Sequence, residues 1–337
     1  MPLISVVMSV YNAQHYLDQA VRSILAQTQG DFEYIAVDDG STDSSLRMLR
    51  QWERKDSRLK VLGCAHRGIV PTVNEGLAMA KSEFIARMDA DDVAMPNRFA
   101  LQIERMRQDE EVVLIGGAYD LIDSAGRLLR RMYPPLDNET IQKQMLAGTP
   151  PINQPLAMLR KSALDKVGFY NPEFEASEDL DLFLRMGEVG KVVCLPQILQ
   201  QYRIHSSSIS EQKQMTQLEG MRLACERAWA RRGIQGKFLG EKPWRPVAGV
   251  ISTHEFMLRY GWWAFNSGER RTAAIYGVKA VLQRPYKVSG WRLLACAAMK
   301  RSPEGESDAD ALAWPQCFSP EQPKSAVPAP LWPRTFT

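Results

Sequence analysis

Residues 84–92 read Phe84-Ile85-Ala86-Arg87-Met88-Asp89-Ala90-Asp91-Asp92, an apolar run that ends in three carboxylates. The apolar part predicts a short buried β-strand. Side chains alternate along an extended backbone, so we expect Asp89 and Asp91 to point the same way. Two such carboxylates repel each other unless a hard divalent cation such as Mg²⁺ or Mn²⁺ lies between them. The alternative is a solvated acidic turn before a helix that begins near Pro96.

The same arrangement, a strand that ends in polar side chains, occurs upstream. Ile4–Val10 is apolar and rich in β-branched residues, which predicts a buried parallel strand. Phe32–Val37 predicts a second strand, and it leads directly into Asp38-Asp39-Gly40-Ser41-Thr42-Asp43. A helix N-cap explains one acid in this loop but not both acids that follow Val37.

The order of strands and helices predicts the fold class. A third strand is expected at Leu59–Leu62, and helical apolar spacing separates the predicted strands from one another. Such alternation is typical of an α/β fold with a doubly wound, mostly parallel sheet. Ligands of these sheets bind at the carboxyl ends of the strands, where the acidic residues fall. No Gly-x-Gly-x-x-Gly or P-loop pattern is present, which argues against a dinucleotide-binding site or a P-loop nucleotide site.

Length, cysteine content and charge further limit the kinds of protein that fit this sequence. The 337 residues are enough for one large α/β domain with additions, or for two domains. Five scattered cysteines without a Cys-x-x-Cys pair indicate a reducing compartment, and residues 1–12 do not resemble a signal peptide. Charge is uneven: residues 221–301 carry a net +12, whereas residues 1–220 carry −6 and residues 302–337 carry −3.

Three sequence blocks in this order and spacing carry a family resemblance. They are Ser5–Ala13, Val37–Asp43 and Ala86–Asp92. Together they resemble the family 2 inverting glycosyltransferases with a GT-A fold. The form Arg-Met-Asp-Ala-Asp-Asp is similar to the branch that acts in bacterial exopolysaccharide and lipopolysaccharide biosynthesis. The resemblance covers residues 3–210 and implies transfer of a sugar from a nucleotide-diphosphate sugar, most readily a UDP-sugar, to a hydroxyl of a saccharide or lipid-linked acceptor.

The resemblance also implies a donor site and a metal site. The residues that would bind the nucleotide are Ser9, Tyr11, Asp38, Asp39, Asn74, Arg87 and Ala90. Arg87 has two possible partners, a phosphate or Asp89. The metal, Mn²⁺ or Mg²⁺, would be bound by Asp89 and Asp91, with His205 nearby. Gln154 stands where relatives commonly carry His, and we assign it no chemistry.

A second acidic block begins a predicted helix at Ser177, with Glu178, Asp179 and Asp181 in the first turn. Acids favour this end of a helix because of its dipole, and that is the structural alternative. The resemblance instead implies an acceptor-activating motif, since attack by a sugar hydroxyl requires a carboxylate that takes the proton. We expect Asp179 to be the base and Glu178 to orient the acceptor, with Asp181 as the second choice for the base.

Two other functional classes stay open at this point. A nucleotidyltransferase would normally show a glycine-rich segment with Arg and Lys after its first strand, and residues 10–13 do not fit that pattern. A nucleotide-sugar-binding module of the same fold without turnover would not need both Asp179 and the Asp89/Asp91 pair.

The remainder of the chain predicts a C-terminal addition. We expect a GT-A domain at residues 1–213, a basic helical extension at 214–301 and a disordered tail at 302–337. Five of the eight tryptophans lie in the extension, which favours contact with a membrane surface over nucleic acid binding or ordinary helix packing. No apolar run is long enough to span a bilayer. We therefore expect a cytoplasmic protein, peripheral on the cytoplasmic face of the inner membrane, with no nucleic acid partner.

Overall fold

The computed structural model describes residues 1–174, 176–205, 214–240 and 253–299. Within these residues the chain forms one nine-stranded sheet covered by helices, followed by a group of C-terminal helices. This confirms the predicted α/β class with a helical extension. The proposed domain boundary at residue 213 and the tail at 302–337 lie outside the described residues.

The strands form a sheet that is parallel on one side and mixed on the other. They are β1 (Ile4–Val10), β2 (Phe32–Asp38), β3 (Leu59–Gly63), β4 (Phe84–Asp89), β5 (Val93–Ala94), β6 (Val112–Ile122), β7 (Leu128–Met132), β8 (Met158–Arg160) and β9 (Lys191–Arg203). Their order is β3-β2-β1-β4-β8-β6-β9-β5, with β7 paired to β6. The first four strands are parallel, as predicted, and so are β6 and β9. The pairs of β8 with β4 and β6, of β5 with β9 and of β7 with β6 are antiparallel.

Helices cover both faces of the sheet. They are α1 (Leu17–Leu25), α2 (Ser45–Glu53), α3 (Ile69–Met79), α4 (Arg98–Gln108), α5 (Asn138–Leu146), α6 (Lys161–Val167), α7 (Glu178–Met186), α8 (Gln214–Arg232), α9 (Thr253–Asn266), α10 (Arg270–Gln283) and α11 (Val288–Met299). None of these helices combines the length and the apolar character needed to cross a bilayer.

The core explains why the first strands are apolar throughout. Val7 belongs to a cluster on one face of the sheet, while Val6 and Met8 belong to a cluster on the other face. Because both faces are covered, all seven residues of β2 are buried. Helix α3 lies very close to the sheet: a Cβ at Gly76 would be 2.6 Å from Val7 Cγ1. This packing holds the carboxyl ends of β1, β2 and β4 in fixed positions.

The C-terminal helices are joined to the sheet by a polar connection. The Tyr276 hydroxyl on α10 donates to Asp123 Oδ2 at 2.8 Å. Arg203, at the end of β9, donates from Nη1 to the Asp123 carbonyl at 3.2 Å and from Nε to the Asp91 carbonyl at 2.7 Å. We call Tyr276, Asp123 and Arg203 the Asp123 bridge. It links the helical extension to the acidic turn that follows β4.

Candidate active site

The predicted acidic residues meet at the carboxyl edge of the sheet. Ser9 is in register with Val37 of β2 and with Asp89 of β4, so the ends of the three central strands are adjacent. Carboxylate oxygens of Asp89, Asp91 and Asp92 all lie within 4.8 Å of one another. The sheet therefore brings these acids together on the same edge as the loop that follows β2.

Hydrogen bonds separate the three acids into two kinds. Asp92 is fully buried, and it accepts from the Arg203 backbone N–H at 2.8 Å and from Gln200 Nε2 at 2.5 Å. Asp89 and Asp91 keep 27% and 26% of their side chains exposed. Asp92 thus anchors the turn to β9, while Asp89 and Asp91 face the open side.

His205 joins the acidic pair from the end of β9. Its Nε2 lies 2.8 Å from Asp91 Oδ2. Two partly exposed carboxylates and an imidazole form a donor set that suits Mn²⁺, and Mg²⁺ is satisfied by the two carboxylates with water. Asp89 and Asp91 belong to the group of acids close enough to share a cation, and His205 contacts one of them. The assignment of all three as metal ligands stays a prediction.

Arg87 lies beneath the acidic turn. The side chain is fully buried; Nη1 donates to the Val7 carbonyl at 2.6 Å, and Nη2 lies 3.3 Å from Asp89 Oδ1. Of the two partners that we expected for Arg87, the structure shows Asp89. The contact of Arg87 with the nucleotide stays a prediction.

The pKa values of the acids reflect their burial and crowding. Burial raises the pKa of Asp89 to about 6; Arg87 opposes this shift, while the charges of Asp91 and Asp179 add to it. Burial and the charges of Asp91 and Asp89 also raise the pKa of Asp92 well above its ordinary range. A bound divalent cation would favour the ionised forms of the two exposed acids.

The predicted acceptor block lies close to the same edge. Helix α7 starts directly after Ser177, and the charge of Asp179 reaches Asp89 strongly enough to affect its pKa. Asp179 is partly exposed, and Oδ1 accepts from the Leu180 backbone N–H at 2.8 Å. Burial raises the pKa of Asp179 above its ordinary value. A carboxylate with a raised pKa is a better proton acceptor, which suits the role predicted for it.

Asp181 faces away from this edge and is occupied elsewhere. It is buried, and Oδ2 accepts from Arg185 Nε and Nη2 at 2.9 and 2.8 Å. Arg185 also donates to the backbone carbonyls of Val167, Gly168 and Phe169 after α6. Residues two apart on a helix lie on nearly opposite faces. The geometry favours Asp179 over Asp181 as the base, and the role of each stays a prediction.

Two residues near the acceptor block had not been assigned a function. Gln154 Nε2 lies 3.4 Å from Glu178 Oε1. Tyr170 is close enough to Gln154, Glu178 and Asp179 to feel them electrostatically, and burial raises its pKa to about 12. Its phenol therefore stays protonated at neutral pH. Tyr170 belongs to no motif that the sequence analysis identified, and Gln154 was noted there without an assigned role; the folded chain brings both to the acids.

Asn74 forms hydrogen bonds with the Tyr170 backbone. Its Nδ2 donates to the Tyr170 carbonyl at 2.8 Å, and its Oδ1 accepts from the Tyr170 backbone N–H at 3.1 Å. Both polar ends of the amide are therefore engaged with the backbone. These bonds fix the loop that carries Tyr170 against α3. The nucleotide contact expected of Asn74 stays a prediction.

The adjacent acids at the end of β2 have different hydrogen-bond partners. Asp38 Oδ2 accepts from the Ser41 backbone N–H at 3.0 Å, whereas its buried Oδ1 has no hydrogen-bond partner among the described residues. Asp39 accepts from the backbone N–H groups of Arg67 and Gly68 at 2.8 and 3.0 Å. Asp38 therefore has an open acceptor position, and Asp39 fastens the loop that begins after β3.

An aromatic stack lies beside these acids. The rings of Tyr11 and His66 are 4.2 Å apart at an interplanar angle of 21°. His66 Nδ1 also lies 2.9 Å from Asp39 Oδ2, and 47% of Tyr11 is exposed. His66 was missed, although its position after the carboxyl end of β3 is a signal that could have identified it.

Ala90 is buried in the acidic turn, and Ser9 is partly exposed between β2 and β4. Their nucleotide roles stay predictions.

A pH-dependent stability difference is expected at Glu178. Burial and the charge of Asp179 raise its pKa from 4.5 to about 7. An acid with a raised pKa in the folded chain contributes stability that is present below pH 4.5 and lost as pH rises toward 7. The free energy of unfolding of Glu178→Gln should therefore equal that of the wild type at pH 4.5 and exceed it by about 2–3 kcal/mol at pH 8. Urea unfolding at both pH values measures this difference.

The matched control for this measurement is Glu139→Gln, because Glu139 is exposed on α5. A difference for Glu139→Gln that rises with pH as strongly as that for Glu178→Gln would show that the gain does not arise from burial at residue 178. A Glu178→Gln difference that stays constant from pH 4.5 to pH 8 would contradict the prediction.

Comparison with known proteins identifies the family. The family model described as "Glycosyl transferase family 2" matches residues 5–168. The amylovoran biosynthesis glycosyltransferase AmsE of Erwinia amylovora is 31% identical over 242 residues, which cover 68% of this chain and 90% of that protein. Other curated relatives are much longer, and the chain spans between 21% and 34% of three of them.

Solved structures agree on the fold. The crystal structure of S. aureus TarS 1–349 in complex with UDP has a TM-score of 0.54 at 15% identity, covering 87% of this chain and 89% of that chain. Mannosyltransferase PcManGT from Pyrobaculum calidifontis, in complex with GDP-Man and Mn²⁺, has a TM-score of 0.52 at 17% identity, covering 90% and 88%. At these identities the likeness concerns the fold alone. Given the family model and the extent of the match to AmsE, this chain belongs to glycosyl transferase family 2.

Proposed function

We propose that this glycosyltransferase is metal-dependent and inverting, and that it moves a sugar from a nucleotide-diphosphate sugar to a hydroxyl of a saccharide or lipid-linked acceptor. A UDP-sugar is the first donor to test. The relative AmsE is named for amylovoran biosynthesis, which supports a role in exopolysaccharide biosynthesis, with lipopolysaccharide biosynthesis as the related possibility. A lipid-linked acceptor is held at a membrane surface, so the proposal includes a peripheral position on the cytoplasmic face of the inner membrane.

The observation that carries the proposal is the approach of Asp179 to Asp89. The two acids come from α7 and β4, which are connected through residues 154–157: Gln154 Nε2 lies 3.4 Å from Glu178 Oε1, and the Arg87 backbone N–H donates to the Ala157 carbonyl at 2.9 Å. An acid that holds the donor diphosphate through a cation and an acid that accepts the acceptor's proton must lie on either side of the reacting carbon. Direct displacement therefore requires that both groups lie at the same edge of the sheet.

In the proposed mechanism, Asp179 takes the proton of the acceptor hydroxyl. The acceptor oxygen then forms a bond to the anomeric carbon from the face opposite the diphosphate. The bond between that carbon and the diphosphate breaks, and its electron pair stays on the phosphate oxygen. A single displacement of this kind inverts the anomeric configuration. A divalent cation held by Asp89, Asp91 and His205 would stabilise the negative charge that develops on the leaving diphosphate.

Glu178 and its neighbours would act on the acceptor side. Because the pKa of Glu178 is about 7, its carboxyl can either donate or accept a hydrogen bond near neutral pH. Gln154 and the protonated Tyr170 add neutral hydrogen-bonding groups beside it. Such groups can orient a sugar hydroxyl toward Asp179 without competing for its proton.

The nucleotide base would be bound by Asp38 and the Tyr11–His66 stack. Asp38→Ala should weaken UDP binding about 10- to 100-fold, because it removes a charged acceptor whose Oδ1 is otherwise unpaired. Asp39→Ala should act mainly on stability, since it leaves the backbone N–H groups of Arg67 and Gly68 without their acceptor. Titration calorimetry with UDP and thermal melting of both variants distinguish the two roles.

The assignment of Asp38 would be wrong if Asp39→Ala lost more UDP affinity than Asp38→Ala at an unchanged melting temperature. No observation favours the nucleotidyltransferase. The binding module without turnover remains an outcome of the experiment below.

The proposed function is tested by release of nucleotide diphosphate from a panel of sugar donors. Each donor is assayed with Mn²⁺, Mg²⁺ or EDTA and with a bacterial lipid extract as acceptor. Metal-dependent release from one donor, lost in Asp91→Ala, is the expected result, and NMR of the product should show the inverted anomer. Undiminished nucleotide binding without release from any donor would favour the binding module. A product with retained configuration would contradict direct displacement.

A further inference from the structure

The turn between α10 and α11 exposes a group of large apolar side chains. Leu282, Tyr286 and Val288 are 77%, 78% and 77% exposed, and Trp291 is 54% exposed. The Trp291 indole N–H donates to the Pro285 carbonyl at 2.9 Å, which holds the ring against the turn. We call Leu282, Tyr286, Val288 and Trp291 the apolar tip.

Among the described residues, the side chains of the apolar tip lie outside the packed clusters. Helices α10 and α11 bury other faces, on which Ala273, Leu293 and Ala297 form a cluster with residues of α9. Tyr276 is buried separately against Leu121 and Leu129 of the sheet. The apolar tip therefore remains as an exposed surface after the helices have packed.

Along the sequence, the charged residues next to the apolar tip are all basic. Arg284, Lys287 and Arg292 are interleaved with the apolar residues, and the segment from residue 270 to residue 299 contains no Asp or Glu. Large apolar side chains among basic residues match the interface of an anionic bilayer, where apolar groups insert and basic groups meet phosphate headgroups. Nucleic acid would also attract the basic residues, but it offers no apolar surface to the aliphatic side chains of Leu282 and Val288.

We propose that the apolar tip inserts into the interface of a membrane that contains anionic lipids. The helix that carries it also carries Tyr276 of the Asp123 bridge. Tyr276 and Leu282 are six positions apart on α10, or about 9 Å of helix at 1.5 Å per residue. The proposal rests on the proposed function in one respect, the lipid-linked acceptor. A membrane contact on the helix that carries the Asp123 bridge would hold the protein near a sugar attached to lipid.

The test is vesicle flotation of the full chain with phosphatidylcholine vesicles, with and without phosphatidylglycerol. One variant removes the apolar contact (Leu282→Ser, Tyr286→Ser and Val288→Ser), and a second removes the charge (Arg284→Gln, Lys287→Gln and Arg292→Gln). The control removes three exposed basic residues elsewhere (Lys81→Gln, Arg107→Gln and Lys166→Gln). The wild type should bind anionic vesicles about tenfold or more tightly than neutral ones, and both tip variants should lose about tenfold or more, with the control within about twofold.

Further measurements distinguish this proposal from the proposed function. Donor turnover with a water-soluble acceptor should be unchanged in both tip variants, because the substituted side chains lie outside the active site. Vesicle binding that is lost in the tip variants supports the membrane contact even if no donor is turned over. Vesicle binding that survives both sets of substitutions overturns it. Duplex DNA binding that is tighter than vesicle binding, lost in the charge variant and kept in the apolar variant, would replace the membrane with nucleic acid.

Discussion

Replacement of Asp179 by asparagine is expected to lower kcat for sugar transfer about a thousandfold, within the range for loss of a general base. An asparagine side chain has nearly the same shape, and its amide oxygen can still accept from the Leu180 backbone N–H. It cannot take a proton from the acceptor. Donor binding should stay within about twofold of the wild type, because the loss occurs only in the transition state. Single-turnover kinetics with saturating donor measure this step.

Two neighbouring acids provide the controls for Asp179→Asn. Glu178→Gln should affect the KM for the acceptor more than kcat, since Glu178 is expected to orient the acceptor. Asp181→Asn should lower the melting temperature, because it weakens the buried ion pair with Arg185, while each folded molecule retains most of its kcat. A variant Asp179→Asn with full activity, or a thousandfold loss at Asp181 instead, would move the base to another residue.

Replacement of Arg98 by methionine is expected to lower the free energy of unfolding by about 3–5 kcal/mol, the range for breaking a buried charge network from one side. Arg98 is fully buried at the start of α4. It donates to Gln102 Oε1 at 3.2 Å, to Gln200 Oε1 at 3.1 Å and to the Arg87 carbonyl at 2.8 Å. Burial lowers its pKa to about 9, and the charge of Asp92 acts in the opposite direction.

Removal of Arg98 affects the acidic turn through Gln200. The Gln200 amide connects Arg98 to Asp92, so Arg98→Met removes a buried positive charge that is linked to this acid through one side chain. The matched control is Arg107→Met on the same helix, where the side chain is exposed; it should change the free energy of unfolding by less than about 0.5 kcal/mol. Urea unfolding of both variants measures the difference. Equal stability of Arg98→Met and Arg107→Met would show that Arg98 does not support the turn.

The strand ends were predictable because their pattern is local. The apolar runs of β1, β2 and β4 each end in polar residues, and parallel strands bring those ends to one edge. The strand β8 was not predictable, since three residues carry too little periodicity to be recognised. It pairs antiparallel with both β4 and β6 and thereby changes the direction of the sheet.

Residues with the same chemistry were harder to separate. Asp38 and Asp39 are adjacent and equally acidic, and only the loop at residues 66–68, which follows β3, assigns one of them to structure. Asn74 was assigned to the nucleotide from the resemblance, and nothing in the sequence indicated its contact with the Tyr170 backbone, 96 residues away. In each case the polar atoms form hydrogen bonds with residues that are distant in the sequence.

The Asp123 bridge has a consequence for chimeric enzymes built from relatives of this protein. Exchange of the C-terminal helices alone would place a foreign helix against Asp123, and without a tyrosine at the position of Tyr276 the buried carboxylate would lose a donor. Arg203 would then be held less firmly at the carbonyl of Asp91. The unit that can be exchanged as a module is therefore discontinuous: it comprises the β6–β7 hairpin together with residues 253–299.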